Sequence, residues 1–366
     1  VVRTVSGSVW GGPATLVEEL AIGALEGPPE LTFGFIQSMA VDREGGIFVY
    51  DGQVPVIRHY DSDGVFLETI GGEGSGPGEY RNAVLGMGVR RDGRLLIVDA
   101  RNARLALYNP DGTPSDHWPL ASGLFTSQML SLDEEDHAYV KIVAGRSQQG
   151  GMSEIGLLHF DTEGQIIDTV RTPKLSGEPE SSGGFFFPSK RWAWSPKRYF
   201  VVGIPSDYSF DVRRRNEPLV RVRLDYEPVP LSADQHAAYE ARREWMQKTQ
   251  GQHWAEPIPH TPRVKPAYKG INVGAQGRIW VHRHVPSVLR EDVQEPAGPN
   301  QAPVVPFREP VVFDVFQPDG TYLGEVPVPA RTTLLSFDGD VVWGIRRGDL
   351  DEQYVVRLRL HAPEEG

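Results

Sequence analysis

The chain has 366 residues, of which 39% are hydrophobic and 23% are charged, with a net charge of −12 and no cysteine. The acidic balance argues against a nucleic-acid-binding protein, and the lack of cysteine excludes disulfides and thiolate metal sites in these residues. No apolar run approaches the roughly 20 residues that a membrane-spanning helix requires.

Short apolar runs separated by turns follow one another along the chain. A strand-like run at residues 16–23 stands alone. Residues 35–71 then contain four such runs, and residues 85–118 repeat the same order of runs and turns. Such a repeat predicts a four-stranded unit that occurs several times. The first turn of the unit occurs six times, at residues 42–46, 90–93, 133–136, 195–197, 275–277 and 337–340.

The second turn of the unit can be followed five times, at Gly64, Gly112, Gly164, near Tyr226 and at Gly320. The last unit has only three strands, which end at residues 354–361. We therefore expect residues 16–23 to supply its outer strand, because this joins the chain ends and removes an exposed sheet edge. The prediction is an all-β, six-bladed β-propeller that forms a single domain over residues 1–366.

Two insertions interrupt the repeat. Residues 232–269, between blades four and five, begin with a predicted helix over residues 232–248, capped by Ser232, and continue as a Pro-rich segment. Residues 285–310, in blade five, are Pro-rich and favour extended backbone. Either the insertions cap the propeller's own channel, or they dock on a partner. In the second case Tyr239, Trp245 and Trp254 are the expected anchors.

Blade four is unusually basic. Residues 190–223 contain nine basic and three acidic residues, so this segment carries +6 and the remainder of the chain −18. One interpretation is a solvated blade surface with packed arginine stems. The other is a contact for an anionic partner or lipid headgroups, which would use Arg213, Arg214 and Arg215.

A pair of histidines is the first candidate for a metal site. His282 and His284 lie two apart on a predicted strand, and a histidine from the first insertion could join them on zinc; the available ones are His236, His253 and His260. No spacing fixes a third ligand, so structural histidines are the competing interpretation. The sequence assigns no metal site.

Asp51 and Asp99 end equivalent strands in blades one and two. Paired carboxylates could transfer protons, but a repeated Asp at a strand end equally well accepts backbone hydrogen bonds. The glycine-rich loop at residues 72–79 lacks the Gly-Lys-Ser/Thr of a phosphate-binding loop. We therefore assign no catalytic residue and no cofactor.

The sequence of residues 71–80, GGEGSGPGEY, and the repeats around it resemble NHL-type repeats. More closely, they are similar to exported six-bladed propeller proteins of bacteria with a G-x-G-x-GPGE(F/Y) link after the first blade. The resemblance covers residues 35–118 and weakens to pattern-level similarity beyond residue 175. It implies a propeller in the periplasm or at the cell surface, with a signal or lipid anchor upstream of Val1.

Two functions follow as hypotheses. The preferred one is a non-enzymatic binding or scaffold protein, an accessory subunit of a membrane-associated extracytoplasmic complex such as one for respiratory or photosynthetic electron transfer. The alternative is a lactonase-like hydrolase or lyase that acts on a small polar substrate at the channel mouth. Related propellers of that kind hold a metal in the channel, but the sequence does not locate such ligands.

Overall fold

The computed structural model of the chain describes residues 1–81, 84–120, 126–145, 154–179, 183–250, 257–290, 293, 298 and 301–363. Their dominant feature is six four-stranded antiparallel sheets, one for each predicted blade. Five of them follow the chain in order, the sixth combines an N-terminal strand with three C-terminal ones, and one sheet gains a fifth, parallel strand. The strands are short and rich in β-branched and aromatic residues, as pleated and largely buried positions favour. The predicted six-bladed propeller is confirmed.

The blades follow the chain. Blade one contains β3 (Ile36–Val41), β4 (Ile47–Asp51), β5 (Val56–Tyr60) and β6 (Phe66–Ile70). A short parallel pair, β7 (Gly72–Glu73) and β8 (Glu79–Tyr80), forms the glycine-rich link. Blade two contains β9 (Val84–Val89), β10 (Leu95–Asp99), β11 (Arg104–Tyr108) and β12 (Pro114–Pro119). A single 3₁₀ turn lies at Ala100–Asn102. Blade three contains β13 (Thr126–Leu132), β14 (Ala138–Gly145), β15 (Glu154–Phe160) and β16 (Ile166–Arg171).

The second half follows the same plan. Blade four contains β17 (Arg191–Ser195), β18 (Tyr199–Gly203), β19 (Ser209–Arg214) and β20 (Val220–Leu224). Blade five contains β21 (Tyr268–Val273), β22 (Ile279–Arg283), β25 (Val312–Phe316) and β26 (Tyr322–Pro327). Blade six contains β27 (Thr332–Asp338), β28 (Val341–Arg347), β29 (Gln353–His361) and, at its outer edge, β2 (Thr15–Ile22).

Strand β2 closes the ring as the sequence predicted. It pairs antiparallel with β29, in a register that runs from Thr15 opposite His361 to Ile22 opposite Val355. Its Glu18 and Glu19 also meet arginines of blade six. The closing strand therefore belongs to the same blade as the C-terminal strand, and it covers an edge that would otherwise expose a row of unpaired backbone groups.

A further strand that the sequence does not predict, β1 (Val2–Val5), pairs parallel with β20 at the outer edge of blade four. Between β1 and β2, amides of Val9, Trp10 and Ala14 donate to carbonyls of blade five's outer strand at 2.8–3.1 Å. The first 22 residues thus form a strap along the outer edges of blades four, five and six. Four exposed or half-exposed residues give too weak an apolar pattern for β1 to be predicted.

Buried apolar clusters lie between neighbouring blades. One joins blades six and one through Ile22, Trp343 and Val355 on one side and Ile47 and Val49 on the other. Corresponding clusters join each of the five remaining pairs of neighbouring blades. The core is therefore a ring of sheet-to-sheet contacts, and each blade contributes to two of them.

One predicted turn was wrong. The second turn of blade four does not lie near Tyr226, which follows β20. It lies between β19 and β20 and places Asn216 at a φ of 61°. The equivalent turns of blades one and two use Gly64 and Gly112, at φ values of 82° and 72°. Asn tolerates this left-handed region, so the glycine that signals the turn elsewhere is absent here.

The predicted helix is confirmed as α1 (Ala233–Gln250). The Ser232 hydroxyl accepts the amide of Gln235 at 3.1 Å and caps its first turn. Within the described part of the chain, α1 is the only α-helix. In the second insertion, β23 (Val288–Leu289) and β24 (Phe307–Arg308) form a separate two-stranded pair.

Because strands alternate in direction, two turns of each blade lie on the same face of the ring: the turn between the first and second strands and the turn between the third and fourth. This face is here named the turn face. The links between blades, and the link between the second and third strands of each blade, lie on the other. The described parts of both insertions, and of the long link between β16 and β17, lie on this second face, here named the insertion face. All three segments connect to strands of blades four and five.

Three N-terminal truncations test the closure, beginning at residues 6, 15 and 23. We expect the free energy of unfolding to fall most, by several kcal/mol, between the last two, since each lost backbone hydrogen bond contributes about 0.5–1.5 kcal/mol. Urea denaturation monitored by tryptophan fluorescence measures this. Equal stability of the chains that begin at residues 15 and 23 would show that β2 does not close the ring.

Candidate functional site

The insertion face contains a cavity of about 430 Å³ where four separate segments meet. We name it the insertion-face pocket. The four segments are the link before blade four with the strand that follows it, α1, the start of the first strand of blade five, and the residue after the second strand of blade five. Its lining residues are Gly184, Phe185, Phe186, Phe187, Ser189, Arg191, Tyr239, Pro266, Lys269 and His284.

A buried carboxylate organises one side of the pocket. Glu309 lies 3.0 Å from the Lys265 ammonium, 2.8 Å from that of Lys269 and 3.1 Å from Nδ1 of His284. Burial opposes its ionisation, but the hydrogen bonds from His284 and Lys269 outweigh this and hold the pKa of Glu309 well below its usual range. One carboxylate thus serves two ammonium groups and an imidazole.

Lys265 connects this cluster to the helix. Its fully buried ammonium donates to the carbonyl of Val285 at 2.7 Å and to the hydroxyl of Ser287 at 2.8 Å. The side-chain amide of Gln235, on the first turn of α1, donates to the same hydroxyl at 2.7 Å. The position of the helix and the charges beside the pocket therefore depend on one hydrogen-bond network.

Aromatic rings form another side of the pocket. The Tyr239 ring of α1 lies 5.0 Å from that of Phe185 and 4.8 Å from that of Phe186. The Phe186 ring also lies 5.3 Å from His284 and 5.8 Å from the Lys265 ammonium. Phe186 has a φ of 55°, a conformation that is costly for a bulky side chain and is held only by its surroundings.

Arg191 differs from the other cations. It lines the pocket, its Nε is buried without a hydrogen-bond partner, and it forms no ion pair with any residue that the structure describes. Burial lowers its pKa, which reflects the cost of removing the guanidinium from water. A half-buried guanidinium without a carboxylate can bind an anion from outside the chain.

The strand register shows why Arg191 has no partner. It lies opposite Gly203, which ends the second strand of blade four. Blades one and two have Asp51 and Asp99 at this strand end, with Ile36 and Val84 opposite them, and these carboxylates pair with Arg58 and Arg104 of the third strands. A side chain at Gly203 would collide with the Tyr268 hydroxyl and the Ser209 carbonyl. An arginine and a glycine at these two positions are the sequence signal that could have indicated the pocket.

Asp51 and Asp99 have structural roles. The fully buried Asp51 carboxylate accepts the amides of Gly34, Phe35, Gln53 and Val54 at 2.9–3.2 Å. Burial opposes its ionisation, yet these backbone hydrogen bonds lower its pKa. Asp99 accepts from the amide of Arg81 and the side chain of Asn102. Both carboxylates fix links between strands, the second interpretation that the sequence left open.

The histidines do not converge in the described part of the chain. His284 binds Glu309, while Nε2 of His282 is buried without a partner. His236 meets the carbonyl of Thr261 and His260 meets Glu240. His253 lies outside the described residues. Among those that are described, no group of three His, Asp or Glu residues could hold a metal ion.

The residues predicted to contact a partner are distributed over both faces. On the insertion face, Tyr239 packs on the chain's own phenylalanines and lines the pocket, whereas Trp245 is half-buried, with the Arg242 guanidinium 5.7 Å from its ring. Trp254 lies outside the described residues. Whether these residues contact a partner stays a prediction.

The three arginines of blade four lie at its second hairpin turn, on the turn face. Arg213 pairs with Asp211 at 3.0 Å. Arg214 donates to the carbonyl of Pro318 and stacks on Tyr199. Arg215 is exposed and has no ion pair in the described part of the chain. The two predicted contact surfaces are therefore on opposite faces and can be tested separately.

A larger cavity, of about 1020 Å³, follows the propeller axis. The first strands of all six blades line it, with Met39, Met87, Met129, Trp192 and Trp194 among the larger side chains. At its turn-face end, Glu134 pairs with Lys197 at 2.9 Å. This ion pair therefore links blades three and four. In the described part of the chain, the apolar cluster between these two blades has four buried residues.

No protein-family model matches the sequence, and no curated protein is similar enough to count as a relative. Solved structures show the fold. A protein from Bacteroides fragilis described as exported is 12% identical, with a TM-score of 0.55 over 99% of this chain and 100% of that chain. A member of the DUF4221 family from Bacteroides vulgatus is also 12% identical, with a TM-score of 0.57 over 96% and 99%.

A gluconolactonase from Xanthomonas campestris is 12% identical over 94% of this chain and 99% of that chain, but its TM-score of 0.43 is too low to support an argument about activity. The two Bacteroides structures support the fold and leave the activity open. In the described residues, no helix is long and apolar enough to cross a membrane.

The role of Asp51 can be tested by Asp51→Asn. We expect it to lower the free energy of unfolding by about 2–4 kcal/mol, because an amide cannot replace the charged acceptor of several backbone amides and leaves some of them unsatisfied. Asp63→Asn, at an exposed turn position of the same blade, is the control and should change stability by less than about 0.5 kcal/mol. Equal effects of both variants in urea denaturation would contradict the structural role.

His282 should make stability depend on pH. Burial, followed by the charge of Lys269, lowers its pKa from 6.5 to about 4. As the pH falls from 6.5 towards about 4, the unfolded state takes up the proton first, so the free energy of unfolding decreases. We expect the wild type to lose about 1–2 kcal/mol more than His282→Gln between about pH 7 and about pH 5. The neighbouring His284 and Glu309 are the same in both proteins, so their contributions cancel in the comparison.

Urea denaturation at the two pH values measures this difference. His117→Gln is the control, because the side chain of His117 is exposed, and it should follow the wild type. If His282→Gln and the wild type lost equal stability, the lowered pKa of His282 would be contradicted.

Proposed function

We propose that this protein is a non-enzymatic binding or scaffold protein, an accessory subunit of a membrane-associated complex on the extracytoplasmic side. The observation that carries the proposal is the rigid attachment of α1 to the insertion face, with Trp245 partly exposed beside Arg242. Trp and Arg are the residues most enriched among the strong contacts of protein interfaces.

The attachment of α1 depends on Glu240. Its carboxylate accepts the amide of Thr261 at 2.5 Å and lies 2.9 Å from both His260 and Arg243. Burial opposes its ionisation, but the amide of Thr261 and then His260 bring the pKa of Glu240 to about 2. The carboxylate therefore stays ionised at neutral pH, and the helix remains attached to the Pro-rich segment after it.

The second insertion also holds the helix, since the Arg242 guanidinium donates to the carbonyl of Pro303 at 3.0 Å. A surface ordered in advance loses less conformational entropy on binding than a mobile loop does. This supports a docking function for the insertion face. The exported Bacteroides fragilis neighbour is consistent with an extracytoplasmic location. The alternative of a metal-dependent hydrolase or lyase gains no support from the described residues.

The test begins with affinity purification from gently solubilised membranes of the native host, followed by mass spectrometry of co-purifying chains. The affinity of the purified partner is then measured for the wild type and for the double variant Trp245→Ala, Trp254→Ala. We expect the double variant to bind at least about tenfold more weakly. Val65→Ala, an exposed apolar truncation on the turn face, is the control and should bind normally.

Unchanged affinity of the folded double variant would exclude the insertion face as the contact. The triple variant Arg213→Gln, Arg214→Gln, Arg215→Gln examines the opposite face. If only this variant lost binding, and the wild-type affinity fell with added salt, the contact would belong to the arginines of blade four, because exposed ionic contacts are screened.

A further inference from the structure

Beyond a partner contact, we infer that the insertion-face pocket binds a small organic carboxylate with an aromatic body, which pairs with Arg191 and packs on Phe185, Phe187 and Tyr239. Four observations carry this inference: the size of the cavity, the balance of charge around it, the unpaired guanidinium and the aromatic lining.

The size fits a small molecule. The cavity of about 430 Å³ falls within the range of about 300–1,000 Å³ that is usual for ligand pockets. It lies away from the propeller axis, between blades four and five, and is distinct from the axial cavity, with which it shares no lining residue.

The charge favours an anion. Arg191 and Lys269 line the pocket, and Lys265 lies directly behind it, whereas Glu309 is the carboxylate that binds the two lysines. Glu309 is occupied by these lysines and by His284, so it leaves Arg191 unbalanced. A ligand with one negative charge would supply the partner that Arg191 lacks among the described residues.

The geometry favours a carboxylate. A guanidinium offers parallel N–H donors that match the two oxygens of a carboxylate, and such pairs are stronger than neutral hydrogen bonds. An anion that pairs here also relieves the buried and unpaired state of Arg191. Because Gly203 lies opposite Arg191 and has no side chain, a ligand can supply the carboxylate for this guanidinium.

The lining favours an aromatic body. Three consecutive phenylalanines of the link before blade four are only partly buried, although burying such rings is favourable. With Tyr239 they provide ring faces and edges against which a planar group can pack. A purely inorganic anion would use Arg191 and leave these rings in contact with water.

Isothermal titration calorimetry of the full chain with phenylacetate tests the inference. Phenylacetamide is the neutral analogue of the same shape, and acetate is the anion without the ring. We expect saturable one-to-one binding of phenylacetate, and binding at least about tenfold weaker for both other compounds, because each loses one of the two required contacts.

Two variants and a control locate the site. Arg191→Gln should weaken phenylacetate binding at least about tenfold. Phe185→Ala should weaken phenylacetate binding and leave any acetate binding unchanged. Arg215→Gln removes an exposed arginine of the same blade on the opposite face, and it should bind phenylacetate as the wild type does.

The inference is overturned if phenylacetate does not bind at millimolar concentrations, if phenylacetamide binds equally well, or if folded Arg191→Gln retains the wild-type affinity. Should Arg191→Gln fail to fold, crystals of the wild type soaked in para-bromophenylacetate decide the question. An anomalous bromine signal inside the insertion-face pocket, next to the rings of Phe185, Phe187 or Tyr239, supports the site, and a signal elsewhere or none at all refutes it.

Discussion

The packing of each blade on both of its neighbours is the interaction on which the rest of this structure depends. Each blade shares an apolar cluster with the blade on either side, so the ring must close for the first and last blades to bury both faces. The antiparallel pair of β2 and β29 provides this closure. Because blade six combines strands from both ends of the chain, the stability of the whole ring depends on contacts between residues more than 300 positions apart.

The closed ring gives the insertions a rigid base. The link before blade four, the first insertion, which contains α1, and the second insertion each connect blade strands at the same face. Their contacts with one another can therefore be specific without a core of their own. Glu240 and Glu309 show how this is achieved, since each ionised carboxylate binds donors from segments that are distant in the sequence. A surface built this way is suited to binding, because its groups are ordered before a ligand or partner arrives.

The candidate site lies where blade four departs from blades one and two. Blades one and two use Asp51 and Asp99 to fix the links between strands. The second strands of the other four blades end without an aspartate, at Gly145, Gly203, Arg283 and Arg347. In blade four the residue opposite Gly203 is Arg191, which has no ion pair among the described residues and lines the insertion-face pocket. The unpaired charge and the cavity therefore lie together, where the insertions meet the ring.

The sequence by itself determined the six blades, the closing strand and the helix, because each depends on local signals: alternating apolar runs, Asp- and Gly-containing turns, and the Ser232 cap. It failed where those signals were weak, at β1 and at the Asn216 turn. The insertion-face pocket could not be predicted, since Phe186, Arg191, Tyr239, Lys269 and His284 come from four segments. Only the packing of blades four and five against the insertions brings these side chains together, and only that packing shows which charges are paired and which one is not.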